Sequence, residues 1–391
     1  MQWHNHTRVV LVRHGRSTFN EQGRYQGSSD ESVLTEAGQI AARQVGKFLQ
    51  GTKIDVIYAS PLRRVQETVH ELLVGIGTTD LASIHLVEHL REIDLPAWEG
   101  LTFKQVREQF ADDYRCWKQY PHQFQMEAAD QTFGLAIGNS SAVAALKTRC
   151  FPVLDLYDRV KQFWQNILPQ HVGQTLLIVG HGGTNHALIS TALGLSPAQH
   201  HIIQQSNCGI SVLNFASGFD DFAQLQALNL TGHLGETLPK LKEGKHGLRL
   251  LLLPSNDLSS EQTEQLAKWL KEVTIDFSLS ADLDSLNQSQ NTAEKILRFH
   301  PTTVQLQVYR EDFSQVWLNT ITHKCLDSNQ LITGLLIAPK QSIQDILGRV
   351  LSLNSEQIWR LPLQPGTFSV LHYPSVEHPP ILQALNIHSI D

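Results

Sequence analysis

The sequence predicts an α/β fold: a largely parallel sheet covered by helices on both faces, present in two unequal copies. Three observations predict it. Short, continuous apolar and β-branched runs alternate with amphipathic helical stretches, the pattern of strands buried on both faces of a parallel sheet. Polar residues cluster directly after those runs, where open α/β sheets bind their ligands. Several segments of the first 230 residues also return, degraded, in the last 145 or so. At 391 residues, 41% hydrophobic and 18% charged, the chain can build two cores of ordinary size and lacks the composition of a disordered or fibrous protein.

The elements follow in order. Residues 9–12 (VVLV) form a first strand, which places Arg13 and His14 at its carboxyl end. Thr35 is the N-cap of a helix whose Ala41, Val45, Phe48 and Leu49 share one face and which Gly51 ends. Residues 54–59 are a second strand; Ser60 as N-cap and Pro61 as first helical residue then start a helix with Arg64 in its first turn. Residues 154–167 are helical, 175–179 are again a strand, and 180–183 lead into a helix that runs to Leu193. The alternation predicts three layers, α/β/α.

The internal repeat is clearest near the ends of the two copies. LQALNL at residues 225–230 returns as LQALNI at 382–387, and TLLIVGHGG from Thr175 aligns with GLLIAPKQS from Gly334 at an offset that agrees within two residues. At the front, RVVLVRHG from Arg8 resembles RLLLLPSN from Arg249, and Ile54 and Asp55 reappear as Ile275 and Asp276. The second copy is much shorter between these anchors, which places an insertion of the first copy at about residues 101–150. The expected organisation is a first domain over 1–232, a glycine- and lysine-bearing linker over 233–247, and a smaller domain over 248–391.

Composition excludes several functions. No apolar run approaches the roughly 18–20 residues of a membrane span. A net charge of −7 argues against a general nucleic-acid or anionic-membrane binder while leaving room for a local cationic pocket. Cys116, Cys150, Cys208 and Cys325 lie far apart without ligand spacing, so neither a disulfide framework nor a zinc site is expected, and the thiols are read as buried. His4 with His6, and His200 with His201, lack a carboxylate or cysteine complement and are read as surface or core residues. No metal and no cofactor is expected. The amino-terminal MQWHNHTRVV resembles neither a signal nor a transit peptide, so a cytoplasmic protein is expected.

Four segments place polar groups at strand ends: Arg13, His14, Gly15 and Asn20; Ser60 to Arg64; Leu90, Arg91 and Glu92; and Gly180 to Gly183. Two histidines, two or three arginines and one glutamate describe a site for a phosphate dianion. Phosphoryl transfer spreads charge over the equatorial oxygens and needs preorganised donors with an in-line nucleophile. Arg13, Arg64 and His181 supply the clamp. A neutral imidazole is a competent nucleophile when a backbone carbonyl holds its other nitrogen, the role expected of His14. The leaving oxygen needs a proton from a carboxyl kept protonated by apolar surroundings, which nominates Glu92, with Asp94 as the fallback.

RHGRSTFN (13–20), RYQG (24–27), SPLRRVQET (60–68), LREIDLPAWEG (90–100) and VGHGG (179–183) resemble the histidine phosphatase, or phosphoglycerate mutase-like, superfamily over residues 7 to about 230. The resemblance implies that His14 becomes phosphorylated, that Arg13, Arg64 and His181 bind the phosphoryl group with Asn20 and Gly182, that Glu92 donates the proton, and that Gln26, Gly27 and Gly183 meet the substrate. Arg16 and Pro96 depart from the family pattern and are expected to flank the pocket entrance. FPVLDLYDRVKQFW, QQSNCGISVLNF, LNLTGHLG and the degraded second copy further resemble the 2-carboxy-D-arabinitol-1-phosphatase type of photosynthetic cells. That implies hydrolysis of phosphorylated sugar acids or sugar bisphosphates that inhibit ribulose bisphosphate carboxylase.

Alternatives stand beside this reading: a phosphoglycerate mutase, a broad-specificity phosphomonoesterase, or a phosphometabolite-binding regulatory module. The expected partner is a small-molecule sugar phosphate; a homodimer is compatible with the sequence. In the second copy Ser255 aligns with His14, Lys340 with His181 and Ser285 with Arg64, so that copy is expected to be catalytically dead and to serve mainly as scaffold. The insertion carries Lys104, Arg107, Arg115, Lys118, Lys147 and Arg149 among Glu108, Asp112, Asp113, Glu127 and Asp130. Mixed signs read as a solvated face; the functional expectation is a cap in which one or two cations or His122 reach a substrate anion. Gly134, Gly138, Asn139, Ser140 and Ser141 suggest a mobile part suited to a lid.

Overall fold

In the computed structural model, residues 6–77, 83–127, 149–216, 219, 222–281, 288–308, 330–375 and 378–388 are described. The first part contains strands β1 (Thr7–Arg13), β2 (Val56–Ala59) and β3 (Ile84–Leu86). A two-stranded hairpin, β4 (Met126–Glu127) with β5 (Arg149–Cys150), precedes β6 (Thr175–Gly180), β7 (Ile210–Phe215) and β8 (Ala223–Leu230). The second contributes β9 (Gly247–Pro254), β10 (Phe277–Ala281), β11 (Val304–Val308), β12 (Leu331–Ala338), β13 (Phe368–Tyr373) and β14 (Ile381–Ile387).

All but the hairpin belong to one 12-stranded sheet, ordered β11-β10-β12-β9-β13-β14-β8-β7-β1-β6-β2-β3. Read outward from the β8–β14 seam, the two halves are connected alike: the first strand of each half lies third from the seam and its fourth major strand lies beside it. The strands β1, β6, β2 and β3 pair in parallel, as do β9, β12, β10 and β11; β7, β8, β13 and β14 run antiparallel. The two halves of the sheet meet edge to edge, with Leu228 opposite Leu385. An edge strand offers unpaired N–H and C=O groups, and here each edge satisfies the other.

Alternate residues of the central strands face opposite layers, as a two-period strand requires. Val9, Leu11 and Tyr58 pack with the helices Pro152–Ile167 and Gly182–Ala192, whereas Val10, Val12 and Ile57 pack with Glu36–Phe48 and Arg63–Ile76. In the second half Leu250 and Leu252 join the former layer with Lys340–Leu351, and Leu251 and Leu253 the latter with Ser260–Leu270. Each core therefore runs through both halves. Each buried Leu or Val contributes about 1.5–3 kcal/mol relative to exposure, which makes the strand pattern decisive.

Thr35 caps its helix as expected, accepting from the Gly38 N–H. Ser60 does not: the helix begins at Arg63 with Leu62 at its N-cap. Cys208 is buried, but Cys116 and Cys150 are only half-buried free thiols, and Cys325 lies outside the described residues. No helix among the described residues is long and apolar enough to cross a membrane.

Candidate active site

Strand β1 ends where it hands its hydrogen bonds to a turn. The His14 N–H donates to the Gly180 carbonyl at 2.9 Å, so β1 and β6 deliver His14 and His181 side by side. Their ring centroids are 5.3 Å apart. Both are buried, at 1% and 0% exposure.

His14 Nδ1 lies 2.7 Å from the Gly15 carbonyl. A carbonyl only accepts, so Nδ1 carries the proton and Nε2 keeps its lone pair. Burial, then the positive charges of Arg13 and Arg64, hold the imidazole well below the usual histidine range. His181 is depressed in the same way, by burial and Arg64; its Nε2 lies 2.8 Å from Ser60 Oγ, and its Nδ1 has no partner. The hydroxyl expected to cap a helix is thus placed against His181.

Arg13 donates from Nη1 to the Gln205 carbonyl at 2.8 Å and leaves Nε unpartnered. Arg64 is completely buried; its Nη groups donate to the carbonyls of Ser29 (2.7 Å) and Gly27 (2.9 Å), and its Nε is unpartnered. Burial brings the Arg64 guanidinium down to about 10. Gly27, at φ +51°, takes the left-handed turn that aims its carbonyl at Arg64, a conformation glycine adopts without penalty.

Glu92 corrects an expectation. Its surroundings are polar, because Oε1 accepts from the Ile93 and Thr184 N–H groups at 2.9 and 3.0 Å, and Oε2 accepts from the Gly183 N–H at 3.1 Å. The last two belong to the first turn of Gly182–Ala192, where unpaired N–H groups favour an anion. A methyl on Gly183 would stand 2.6 Å from Glu92 Oε1, so glycine permits this approach. Arg159 holds the preceding loop by donating to the Arg91 and Glu92 carbonyls. Asp94, the fallback, turns away toward Arg159 and an outer groove.

Asn20 Oδ1 accepts from Ser17 and from Asn207 Nδ2, and Gln26 Oε1 accepts from Ser17 Oγ at 2.9 Å. Asn207 also donates to the His14 carbonyl at 3.0 Å, and Thr68 Oγ1 accepts from the Gly15 N–H while donating to the Arg64 carbonyl. Sequence reasoning missed Asn207, Thr68 and Thr184 as site residues. The first two sit in segments it quoted, but what they do is to brace other residues, which no spacing rule reveals.

A cavity of about 230 Å³ opens beside this cluster, bounded by Arg13, Asn20, Gln26, Gly27, Glu92, Gly182 and Gly183. Neither Arg16, which faces Glu21 at 3.5 Å, nor Pro96 lines it. Among the described residues of the insertion only Phe103 and Trp117 do, and of its described cations Lys104, Arg115 and Lys118 pair with Glu108, Asp112 and Glu243. Arg149 meets Gln125, and His122 meets Gln123. Asp130, Gly134, Gly138, Asn139, Ser140, Ser141 and Lys147 lie outside the described residues, as do His4 and Ser285. His200 and His201 pack with Trp117, His186 and Tyr157, and no metal-holding cluster occurs among the described residues.

In the second half the backbone corrects an alignment. The Ser255 N–H donates to the Ala338 carbonyl at 2.9 Å, matching His14 and Gly180, so Pro339 and not Lys340 occupies the position of His181. Asp55 and Asp276 repeat a further detail: each N–H donates to the carbonyl of a strand residue, Thr175 or Thr333, and each carboxylate accepts from the same residue's N–H.

The chain is 36% identical over 227 residues to a protein named "Probable 2-carboxy-D-arabinitol-1-phosphatase" from Arabidopsis thaliana, covering 57% of this chain and 42% of that one. It is 36% identical over 208 residues to the 2-carboxy-D-arabinitol-1-phosphatase of Triticum aestivum, covering 53% and 37%. The matches thus span less than half of either relative. Among solved structures, Bacillus stearothermophilus YhfR is 26% identical with a TM-score of 0.46, over 56% of this chain and 95% of that one. The family model of the histidine phosphatase superfamily, branch 1, matches residues 9–227, and the chain belongs to that family.

Proposed function

We propose that the chain hydrolyses a small anionic sugar phosphate through a phosphohistidine at His14, without a metal. The observation that carries this reading is the Nδ1–H of His14 held by the Gly15 carbonyl, which leaves the Nε2 lone pair free within the electrostatic reach of Arg13 and Arg64. Nε2 attacks phosphorus, the bond to the substrate oxygen breaks, and Glu92, which takes up a proton when the phosphate dianion binds beside it, gives that oxygen its proton. Arg13, Arg64, His181 and the N–H of Gly182 take up charge on the equatorial oxygens. Asn20, Gln26, Gly27 and Gly183 border the leaving group. Water then attacks the phosphohistidine, returning phosphate and a neutral His14.

The substrate class follows from the relatives named above: 2-carboxy-D-arabinitol 1-phosphate or a related sugar bisphosphate. Residues 248–391 are read as a smaller, catalytically inactive copy of the domain over 1–232, joined by 233–247. The repeated strand order supports this, as do Ser255 and Pro339 at the positions of the two histidines. Without an imidazole at either place, the paired histidines of the first half have no counterpart there.

The test is phosphate release, with EDTA present, from 2-carboxy-D-arabinitol 1-phosphate, xylulose 1,5-bisphosphate, fructose bisphosphates and 3-phosphoglycerate, by the wild type and His14→Ala. A preference of ~100-fold for a sugar acid or pentulose phosphate, about 2.7 kcal/mol, lost with His14, is expected. Isomerisation of 3-phosphoglycerate without phosphate release would make the protein a mutase. Undiminished release by His14→Ala would overturn the mechanism.

A further inference from the structure

The segment between β8 and β9 supplies Lys242 and Glu243 to the cavity lining. Gln204 Nε2 donates to the Lys240 carbonyl at 3.0 Å, and Arg249 donates to the Pro239 carbonyl. Glu236 pairs with Lys240 at 2.8 Å. Glu243 turns to Lys118 of the helix Ala111–Gln119, at 2.7 Å, with His378 on its other oxygen at 3.9 Å. The carboxylate next to Lys242 is therefore committed elsewhere.

Lys242 lines the cavity together with Arg13, Glu92 and Gly182. Its ammonium makes no hydrogen bond or ion pair with any described residue. The residue is exposed, so its ammonium is open to an incoming ligand, and its charge helps depress His14. The anions whose charge reaches it, Glu243 and Glu236, are paired with Lys118 and Lys240, and Glu92, which also lines the cavity, has its oxygens occupied by the N–H groups of Ile93, Gly183 and Thr184. Two like charges brought toward one another in a partly desolvated cavity are unfavourable until an anion arrives between them. Arg13 is accounted for by the phosphoryl group; Lys242 is not.

The same lining includes neutral hydrogen-bonding groups. His186 Nε2 and both polar atoms of Gln205 are buried without partners. Burial holds His186 well below the usual range, so it adds no charge there and offers only hydrogen bonds. Arg13 and an ammonium without an ion pair on the wall of one cavity, together with unsatisfied neutral polar atoms in the same lining, describe a particular ligand. It is a phosphate monoester on a hydroxylated chain that carries a second anionic group. We propose that Lys242 recognises that second anion, a carboxylate or a second phosphate, and so sets substrate choice from the linker and not from the insertion. This rests on the function proposed above and names the residue that would enforce it.

The experiment compares 2-carboxy-D-arabinitol 1-phosphate with D-arabinitol 1-phosphate, which lacks the carboxylate, in wild type, Lys242→Met and Lys242→Arg. The quantity read is the ratio of the two kcat/KM values. In Lys242→Met that ratio is expected to fall ~10–100-fold, mostly through KM of the carboxylated substrate, and to recover in Lys242→Arg. A ratio within about threefold of the wild type in Lys242→Met, with the wild type discriminating, overturns the role of Lys242 and leaves the proposed function standing. A wild type that does not discriminate overturns the substrate class itself and this role with it.

Discussion

Asn229 and Asn386 make the same hydrogen bond in opposite directions across the seam of the sheet. Asn229 Nδ2 donates to the Gln383 carbonyl and Asn386 Nδ2 to the Gln226 carbonyl, each at 2.8 Å. The four residues are equivalent members of the repeated LQALN segments, and both asparagines sit at positive φ, 53° and 55°. The seam is therefore self-complementary, as an isologous interface is, although one chain supplies both sides.

Replacing either asparagine by alanine removes a buried bond and forces a side chain without local polar compensation into the left-handed region. Asn229→Ala and Asn386→Ala are each expected to cost about 1–3 kcal/mol in urea unfolding. The double variant should depart from additivity, because both sites secure the same seam. Losses under about 0.5 kcal/mol would mean that the seam is held by the flanking leucines alone.

His14 is depressed, so lowering the pH through 6.5 does not protonate it. Single-turnover phosphorylation is thus expected to keep its rate from pH 7 down to about 5.5, and any acid limb should appear lower. A limb with an apparent pKa near 6.5 would show that burial does not protect the nucleophile.

Stability should behave differently from chemistry. Burial lowers His200 to about 3 and His233 to about 4, from 6.5, and depresses His186 and His201 as well. Below pH 6.5 the unfolded chain takes up protons that the fold refuses, so stability is full above that pH and declines as pH falls toward the folded values. Each such group costs about 1.4 kcal/mol per pH unit in that window. Unfolding free energies from urea titrations should drop steadily from pH 7 to 5, by about 2 kcal/mol for each ring that the fold keeps neutral. A flat profile would contradict the burial of these rings.

Gly183→Ala tests the seating of Glu92. The added methyl would press on Oε1, moving the carboxyl off the helix N-terminus. Phosphate release is expected to fall at least about tenfold, with Glu92→Gln losing ~10²–10⁴-fold. Full activity in Gly183→Ala would detach Glu92 from the reaction.

Much of this was legible because it is local. The run of Val9 to Val12 ends at Arg13 and His14, and no distant contact is needed to see that a strand ends there. Thr35 capped its helix for the same reason. What failed depends on partners far away in sequence. Ser60 looks like an N-cap until His181, brought by β6, takes its hydroxyl. Glu92 looks apolar in its setting until the Gly182–Ala192 helix points N–H groups at it. The one-residue error at Lys340 arose because letters were aligned, whereas register is set by the Ser255 to Ala338 bond. Lys242 carried no signal at all: a lysine in a polar linker acquires meaning only when Glu243 is seen to pair with Lys118.

The central claim is that His14 itself carries the phosphoryl group. Rapid quenching of the protein with 2-carboxy-D-arabinitol 1-phosphate, followed by mass spectrometry of its peptides, tests this directly. The account predicts an acid-labile phosphoryl group on His14, formed as fast as or faster than turnover and absent in His14→Ala. Turnover with no phosphoenzyme, or with phosphate on another residue, would contradict it.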